Sequence, residues 1–240
     1  MSSSVRWLFV SRWNHPNDPR PCSPTMNLPG HPNSLSLENL SQALDDLSAA
    51  DPDLAQLRAR LGTPPLWARA AGFPTLVHII LEQQVSLASA RAAFSKLQEA
   101  CNHELTPELF LKFDDQELKS LGFSRQKTSA CRTLANTILK HELDLEALPE
   151  LDDQSARAAL IKVKGIGPWT ADIYLLMVLL RPNSWPTGDL ALAVAVQELK
   201  QLATRPNPAE LEKIALVWQP WRAVAARLLW FSYLRKRGLA

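Results

Sequence analysis

Residues 160–192, LIKVKGIGPWTADIYLLMVLLRPNSWPTGDLAL, decide how this 240-residue chain is read. Two helical segments meet there through Val163-Lys164-Gly165-Ile166-Gly167. Glycines at both ends of the Gly-Ile-Gly turn permit positive φ and close approach of another backbone. Pro168 falls at the first turn of the second helix, where its missing N–H costs nothing. The amides of Gly165, Gly167 and Trp169 are thereby left at a helix N-terminus, a place suited to an anion such as a DNA phosphate. A lone GxG reads more readily as a plain helix–helix turn, so the longer pattern carries the weight. Downstream, Pro186-Thr187-Gly188-Asp189-Leu190 opens another helix, and Asp189 reads as its N-cap, as a functional carboxylate, or as both.

Outward from this stretch the chain reads as helices separated by Gly and Pro. Ser36 to Leu47 repeats apolar residues at Leu37, Leu40, Leu44 and Leu47, the helical spacing. Pro74 to Ala100 reads as one long helix with Pro at its start. Asp114 opens a short helix stopped at Gly122, Ser124 caps one through Lys140, and Asp152 or Asp153 starts one running to about Lys162. The apolar helix after the hairpin is expected to reach Leu180, and the one after Asp189 to end near Ala203. Asn207-Pro208-Ala209-Glu210 is a complete helix-start signal, and a last helix begins near Pro220. Alternating β-branched runs and Asn-Gly or Asp-Gly turns are nearly absent, so the expected fold is all-α with ten or so helices. Residues 1–34, rich in Ser, Pro and Asn and without apolar periodicity, read as a disordered N-terminal extension. Met26 is the expected natural start, which the intact mass of the native protein would test.

Composition narrows the class. Hydrophobic residues make up 46% and charged residues 21%, as in ordinary globular proteins. No uncharged apolar run approaches the roughly 20 residues needed to cross a bilayer, so no membrane span is expected, and the N-terminus does not read as a secretory signal. Cys22, Cys101 and Cys131 are too few and too scattered for a disulfide framework, a zinc site or a four-cysteine iron–sulfur cluster; reduced cytosolic thiols are expected. The net charge of +2 does not announce a polyanion partner. The basic tail of Arg222, Arg227, Arg235, Lys236 and Arg237 adds weak support for DNA binding, while Glu38 to Asp53 is acidic.

Residues 160–171 (LxxVKGIGPWTA) resemble the helix-hairpin-helix DNA-binding motif, and with Asp189 downstream they resemble the signature of the helix-hairpin-helix DNA glycosylase superfamily. ILEQQVSLASA (80–90), LGFSRQKTSACRTLA (121–135) and WQPWRAVAARLLW (218–230) resemble segments of its alkyl-base branch, the 3-methyladenine DNA glycosylase II family. Together the matches span about residues 70–235. The resemblance implies an all-α fold of two helical subdomains with a cleft between them over 35–240, the central one about 74–180 and the other from 35–73 plus 181–240. Too few residues precede the helical core for the additional α/β domain of larger bacterial members, so a compact form is expected.

The resemblance also implies roles. Asp189 becomes the catalytic carboxylate at the mouth of the cleft. Breaking an N-glycosidic bond builds positive charge on the sugar, which a shielded carboxylate stabilises while it orients or deprotonates the attacking water; a helix N-terminus helps keep it ionised. Trp169 and Trp230 line the base pocket, with Ile173 where family members carry tyrosine. Aromatic faces attract cations by about 0.5 to 2 kcal/mol, and 3-methyladenine and 7-methylguanine carry formal positive charge. Lys164, Gly165, Ile166, Gly167 and Thr170 are implied to hold the DNA backbone. Gln83 and Gln84 are implied to approach the gap left in the duplex, Gln84 being favoured as its plug.

Members that also cut the backbone carry lysine where this chain has Trp169, so hydrolysis without lyase activity is expected. No metal and no cofactor is required, apart from a monovalent cation that hairpin carbonyls bind in relatives. The expectation is a monomeric, monofunctional glycosylase. It would remove 3-methyladenine and 7-methylguanine from damaged double-stranded DNA in base excision repair, with no membrane partner. It would work in the cytoplasm with the nucleoid if bacterial and in the nucleus if eukaryotic. A glycosylase for another damaged or mismatched base is the alternative within enzymes; its cluster-bearing branch is disfavoured because no cysteine follows Cys131. A non-catalytic helix-hairpin-helix DNA-binding protein and a helical scaffold are the others, and Asp189 with its tryptophans argues against both.

Overall fold

Polar caps and prolines set where the helices begin. The computed structural model describes residues 34–239; the expected disordered extension, except Ser34, lies outside the described residues, as does the Met26 start. Twelve α-helices follow one another: α1 (Leu37–Ala50), α2 (Pro52–Leu61), α3 (Phe73–Glu82), α4 (Leu87–Ala100), α5 (Pro107–Phe110), α6 (Asp115–Ser120), α7 (Arg125–Leu139), α8 (Asp153–Ile161), α9 (Pro168–Met177), α10 (Leu190–Leu199), α11 (Pro208–Ala215) and α12 (Arg222–Lys236). No strand occurs among the described residues. Ser36, Asp114, Ser124, Asp152 and Asn207 cap α1, α6, α7, α8 and α11 with their side chains, satisfying amides that the helix leaves unpaired.

Several boundaries differ from expectation. Pro74 to Ala100 is not one helix. Gln84 adopts φ +54°, and the Ser86 hydroxyl accepts from Ser89 N to start α4 afresh. Helix α9 stops at Met177 rather than Leu180, because Leu180 sits at φ +55° and Arg181 N turns back to Leu175 O. Helix α10 ends at Leu199, short of Ala203. Helices α2 and α5 went unread, although Asp51-Pro52 and Thr106-Pro107 are cap-plus-proline starts.

Helices α3 to α9 pack mainly on one another, and α1, α2, α10 and α12 form a second packed group. One hydrophobic core runs through both. The second group is tied together by buried polar side chains. Asp51 accepts from Lys200 Nζ at 2.7 Å and from Trp218 Nε1 at 2.7 Å. Arg227, fully buried on α12, donates to the carbonyls of Leu66 (2.8 Å), Ala223 (3.0 Å) and Leu176 (2.7 Å). Burial pushes the Arg227 guanidinium down to about 9.

That placement corrects the reading of the basic tail. Arg227 is interior, Arg222 pairs with Glu212, and Lys236 and Arg237 both reach Glu198. These four charges hold helices, while Arg235 is exposed and stands over the Phe231 ring. Cys101 and Cys131 are buried free thiols. Among the described residues no helix is long and apolar enough to cross a membrane.

Candidate active site

The hairpin is built by one forced contact and one open one. Gly165 sits at φ +102°, and a Cβ there would collide with Ala130 Cβ and lie 2.9 Å from Ala130 Cα on α7. Only glycine permits both the backbone angle and that approach. Gly167 has an ordinary φ of −89°, so it does not need the freedom expected of it; a Cβ there would meet nothing within 4 Å. It is the N-cap of α9, and no side chain caps the helix. A helix N-terminus with uncapped amides and open space before it is a ready anion site.

The other hairpin residues divide. Lys164 is exposed, whereas Ile166 and Thr170 are buried. Ile166 donates its N–H to Val163 O, and its buried side chain anchors the turn in the core. The Thr170 hydroxyl accepts from Gln83 Nε2 at 2.9 Å, and the same amide donates to Gly165 O at 3.2 Å. Gln83 therefore ties the end of α3 to the hairpin. Gln84 is exposed on the same turn. Lys127 donates to Leu81 O at 2.6 Å and fixes the last turn of α3 beside them; burial lowers its pKa.

Asp189 is 7% exposed and caps α10. Its Oδ1 accepts from Leu192 N at 2.9 Å and from Trp230 Nε1 at 3.2 Å, and its Oδ2 accepts from Trp169 Nε1 at 2.9 Å. Three N–H donors around two oxygens are the environment of an anion. Burial nevertheless pushes the Asp189 carboxyl above its ordinary value, and the indole and backbone donors only partly offset it. The helix N-terminus thus does less to keep it ionised than the sequence suggests. A positive charge brought beside it would restore the carboxylate, because an opposite charge favours the charged form.

The carboxylate lies in the wall of a cavity of about 70 Å³, between α3, α4 and α9 on one side and α10 and α12 on the other. Trp169, Ile173 and Trp230, all singled out from the sequence, line it together with Asp189. Both indoles have a second task there, since their N–H groups clamp the carboxylate. Sequence reasoning missed Trp67, Arg69, Glu82, Met177 and Tyr233, which also line the cavity. Trp67 stands edge-on to Trp230 at 6.4 Å between ring centroids. It lies outside any helix, so no periodicity marks it; Glu82 was legible only as the neighbour of the Gln-Gln pair.

Among the described residues no group of three or more His, Cys, Asp or Glu is placed to hold a metal ion. A monovalent cation at the hairpin would have to use backbone carbonyls, and two of these already accept hydrogen bonds, Val163 O from Ile166 N and Gly165 O from Gln83.

Comparison with known proteins matches residues 77–220 to the family model described as HhH-GPD superfamily base excision DNA repair protein. The chain is 26% identical over 214 residues to a DNA-3-methyladenine glycosylase of Bacillus subtilis, covering 82% of this chain and 68% of that protein. It is 29% identical over 166 residues to DNA-3-methyladenine glycosylase 2 of Escherichia coli, covering 65% of this chain and 56% of that one. Another Bacillus subtilis relative is matched over 61% of its length. Among solved structures, the 3-methyladenine DNA glycosylase of Schizosaccharomyces pombe in complex with abasic DNA superposes with a TM-score of 0.75 at 25% identity, covering 79% of this chain and 95% of that one.

Proposed function

This chain belongs to the HhH-GPD superfamily of base excision DNA repair proteins, and we propose that it is a monofunctional DNA glycosylase releasing alkylated purines, 3-methyladenine and 7-methylguanine, from double-stranded DNA. The observation that carries the proposal is a buried carboxylate, Asp189, clamped by two indole N–H groups in the wall of an aromatic cavity. The relatives named as 3-methyladenine glycosylases supply the substrate class.

The chemistry follows from the residues. Phosphate is gripped at the uncapped N-terminus of α9, with Lys164 beside it, which docks the duplex without reading sequence. The damaged nucleotide leaves the stack, at a cost that is smallest for a damaged pair, and its base enters between the indoles. Gln84, exposed beside the hairpin, is placed to fill the gap. A base that already carries positive charge needs no strong general acid to leave. As the glycosidic bond stretches, the Asp189 carboxylate faces growing positive charge on the sugar and orients the water that completes hydrolysis.

Lyase chemistry needs an amine at the sugar, and no lysine lines the cavity; the nearby Lys127 is spent on Leu81 O. The proposal requires no cofactor. A monovalent cation on the hairpin carbonyls would reinforce the phosphate grip without entering the reaction. The enzyme would act as a monomer, with the nucleoid of a bacterium or in the nucleus of a eukaryote.

The test is incubation with methylated duplex DNA, chromatography of the freed bases, and borohydride trapping of any imine. Release of 3-methyladenine and 7-methylguanine with no trapped complex is expected. Binding without release would overturn the enzymatic reading, and a trapped covalent complex would overturn its monofunctional part.

A further inference from the structure

The cavity holds a second buried carboxylate that the reaction above does not use. Glu82 ends α3, its side chain is 7% exposed, and both its oxygens are held by Arg69, Nη2 to Oε1 at 2.8 Å and Nη1 to Oε2 at 3.0 Å. Arg69 is 13% exposed and comes from the non-helical segment before α3, where its own N–H is fixed to Met177 O at 2.8 Å. The pair therefore lies across the cavity wall, braced from both sides. His78 Nε2 stands 3.7 Å from Glu82 Oε1 and stacks on Phe94.

Two facts make this pair more than packing. A buried ion pair is commonly no more stabilising than apolar residues of the same volume, so its presence in this largely aromatic and aliphatic wall is not explained by stability. Of the three indoles that line the cavity, Trp169 and Trp230 have their N–H groups committed to Asp189. Ligand pockets set specificity through a few placed polar groups, and the Arg69–Glu82 pair is one such group in this wall. A carboxylate offers about four acceptor positions; Arg69 takes two.

We propose that Glu82 is a specificity-determining residue that reads position 6 of the flipped purine, accepting a hydrogen bond from an exocyclic amine and repelling a carbonyl. The inference rests on the glycosylase reading of the same cavity. 3-Methyladenine carries an amine at that position, and its positive charge makes the amine a stronger donor. 7-Methylguanine and hypoxanthine carry an oxygen there, which meets the carboxylate lone pair to lone pair. Arg69 has the complementary part: it holds Glu82 in place, and Glu82 in turn cancels a cation that would otherwise repel a charged base. A site with a fixed acceptor discriminates strongly, because the mismatched ligand leaves buried polar groups unpaired.

One methylated duplex sample contains both 3-methyladenine and 7-methylguanine, so their ratio of release is an internal measurement. Glu82→Gln keeps an oxygen for Arg69 and adds a donor. The expected result is slower release of 3-methyladenine, equal or faster release of 7-methylguanine, and a ratio shifted by about tenfold or more toward the oxo base. The double variant Arg69→Leu/Glu82→Leu leaves no unpaired charge to unfold the protein, and it should also lose the preference. An unchanged ratio in either folded variant would overturn the assignment. If the wild type releases neither base, the glycosylase reading itself fails, an outcome separate from an unchanged ratio.

Discussion

At the scale of single residues, the account turns on what burial does to Asp189. Its carboxyl is raised because the cavity excludes water, and only the ionised form can stabilise a cationic sugar. Base release should therefore fall as pH drops through the Asp189 pKa, at higher pH than for an exposed aspartate, as a pH profile of release at DNA concentrations below saturation, which reports the unoccupied site, would show. Stability runs the other way. The folded state holds this proton more tightly than the unfolded chain, so stability falls as pH rises from about 3.9 to the raised value. Wild type should gain on Asp189→Asn as pH is lowered through that window, read as the difference between their thermal midpoints. Arg227 makes a second prediction. Arg227→Met strips the Leu66 and Leu176 carbonyls of their guanidinium donor and should cost about 2–5 kcal/mol in urea unfolding. Little change would mean that water replaces the guanidinium.

At the scale of elements, the two glycines of the hairpin separate folding from binding. Gly165→Ala places a methyl against Ala130 at a backbone angle L-residues avoid, and should destabilise by about 2–4 kcal/mol. Gly167→Ala meets open space at an ordinary angle, so it should fold as wild type yet bind duplex DNA more weakly, because the methyl stands where a phosphate would approach. Equal effects of the two on stability would contradict the distinction. The hairpin, α9 and the Asp189 cap were legible in the sequence because each depends on local signals, a Gly-Ile-Gly turn, a proline at the first turn and an aspartate before an apolar run. The break at 83–86 was not. Apolar positions keep helical spacing through Val77, Ile80 and Leu81 to Ala90, and the turn is fixed by contacts from afar, Lys127 on Leu81 O and Gln83 on Thr170. The same holds for Trp67 and Arg69. They belong to an irregular segment that only the folded chain brings to the cavity, so the aromatic half of the pocket nearest the sequence motif was readable and the opposite wall was not.

At the scale of the whole molecule, a net charge of +2 leaves DNA binding to placement rather than to a field. Four of the five basic residues of the tail are engaged in ion pairs or carbonyl contacts, and Arg235 stands over the Phe231 ring, which makes the hairpin the better-placed phosphate site. Lys164→Ala should weaken binding by a similar factor on every sequence and reduce the slope of log affinity against log salt by about 1, as titrations at several salt concentrations would show. An unchanged slope would move the phosphate contact elsewhere. The two helix groups meet at the cavity, one supplying the hairpin, Trp169 and Glu82, the other Asp189 and Trp230. The most direct test of the account is the rate at which Asp189→Asn frees 3-methyladenine from methylated duplex DNA, measured beside its affinity for the same DNA. Asparagine can still cap α10, so the variant should bind as wild type does and release base at least about 100-fold more slowly. Release at the wild-type rate would contradict the account.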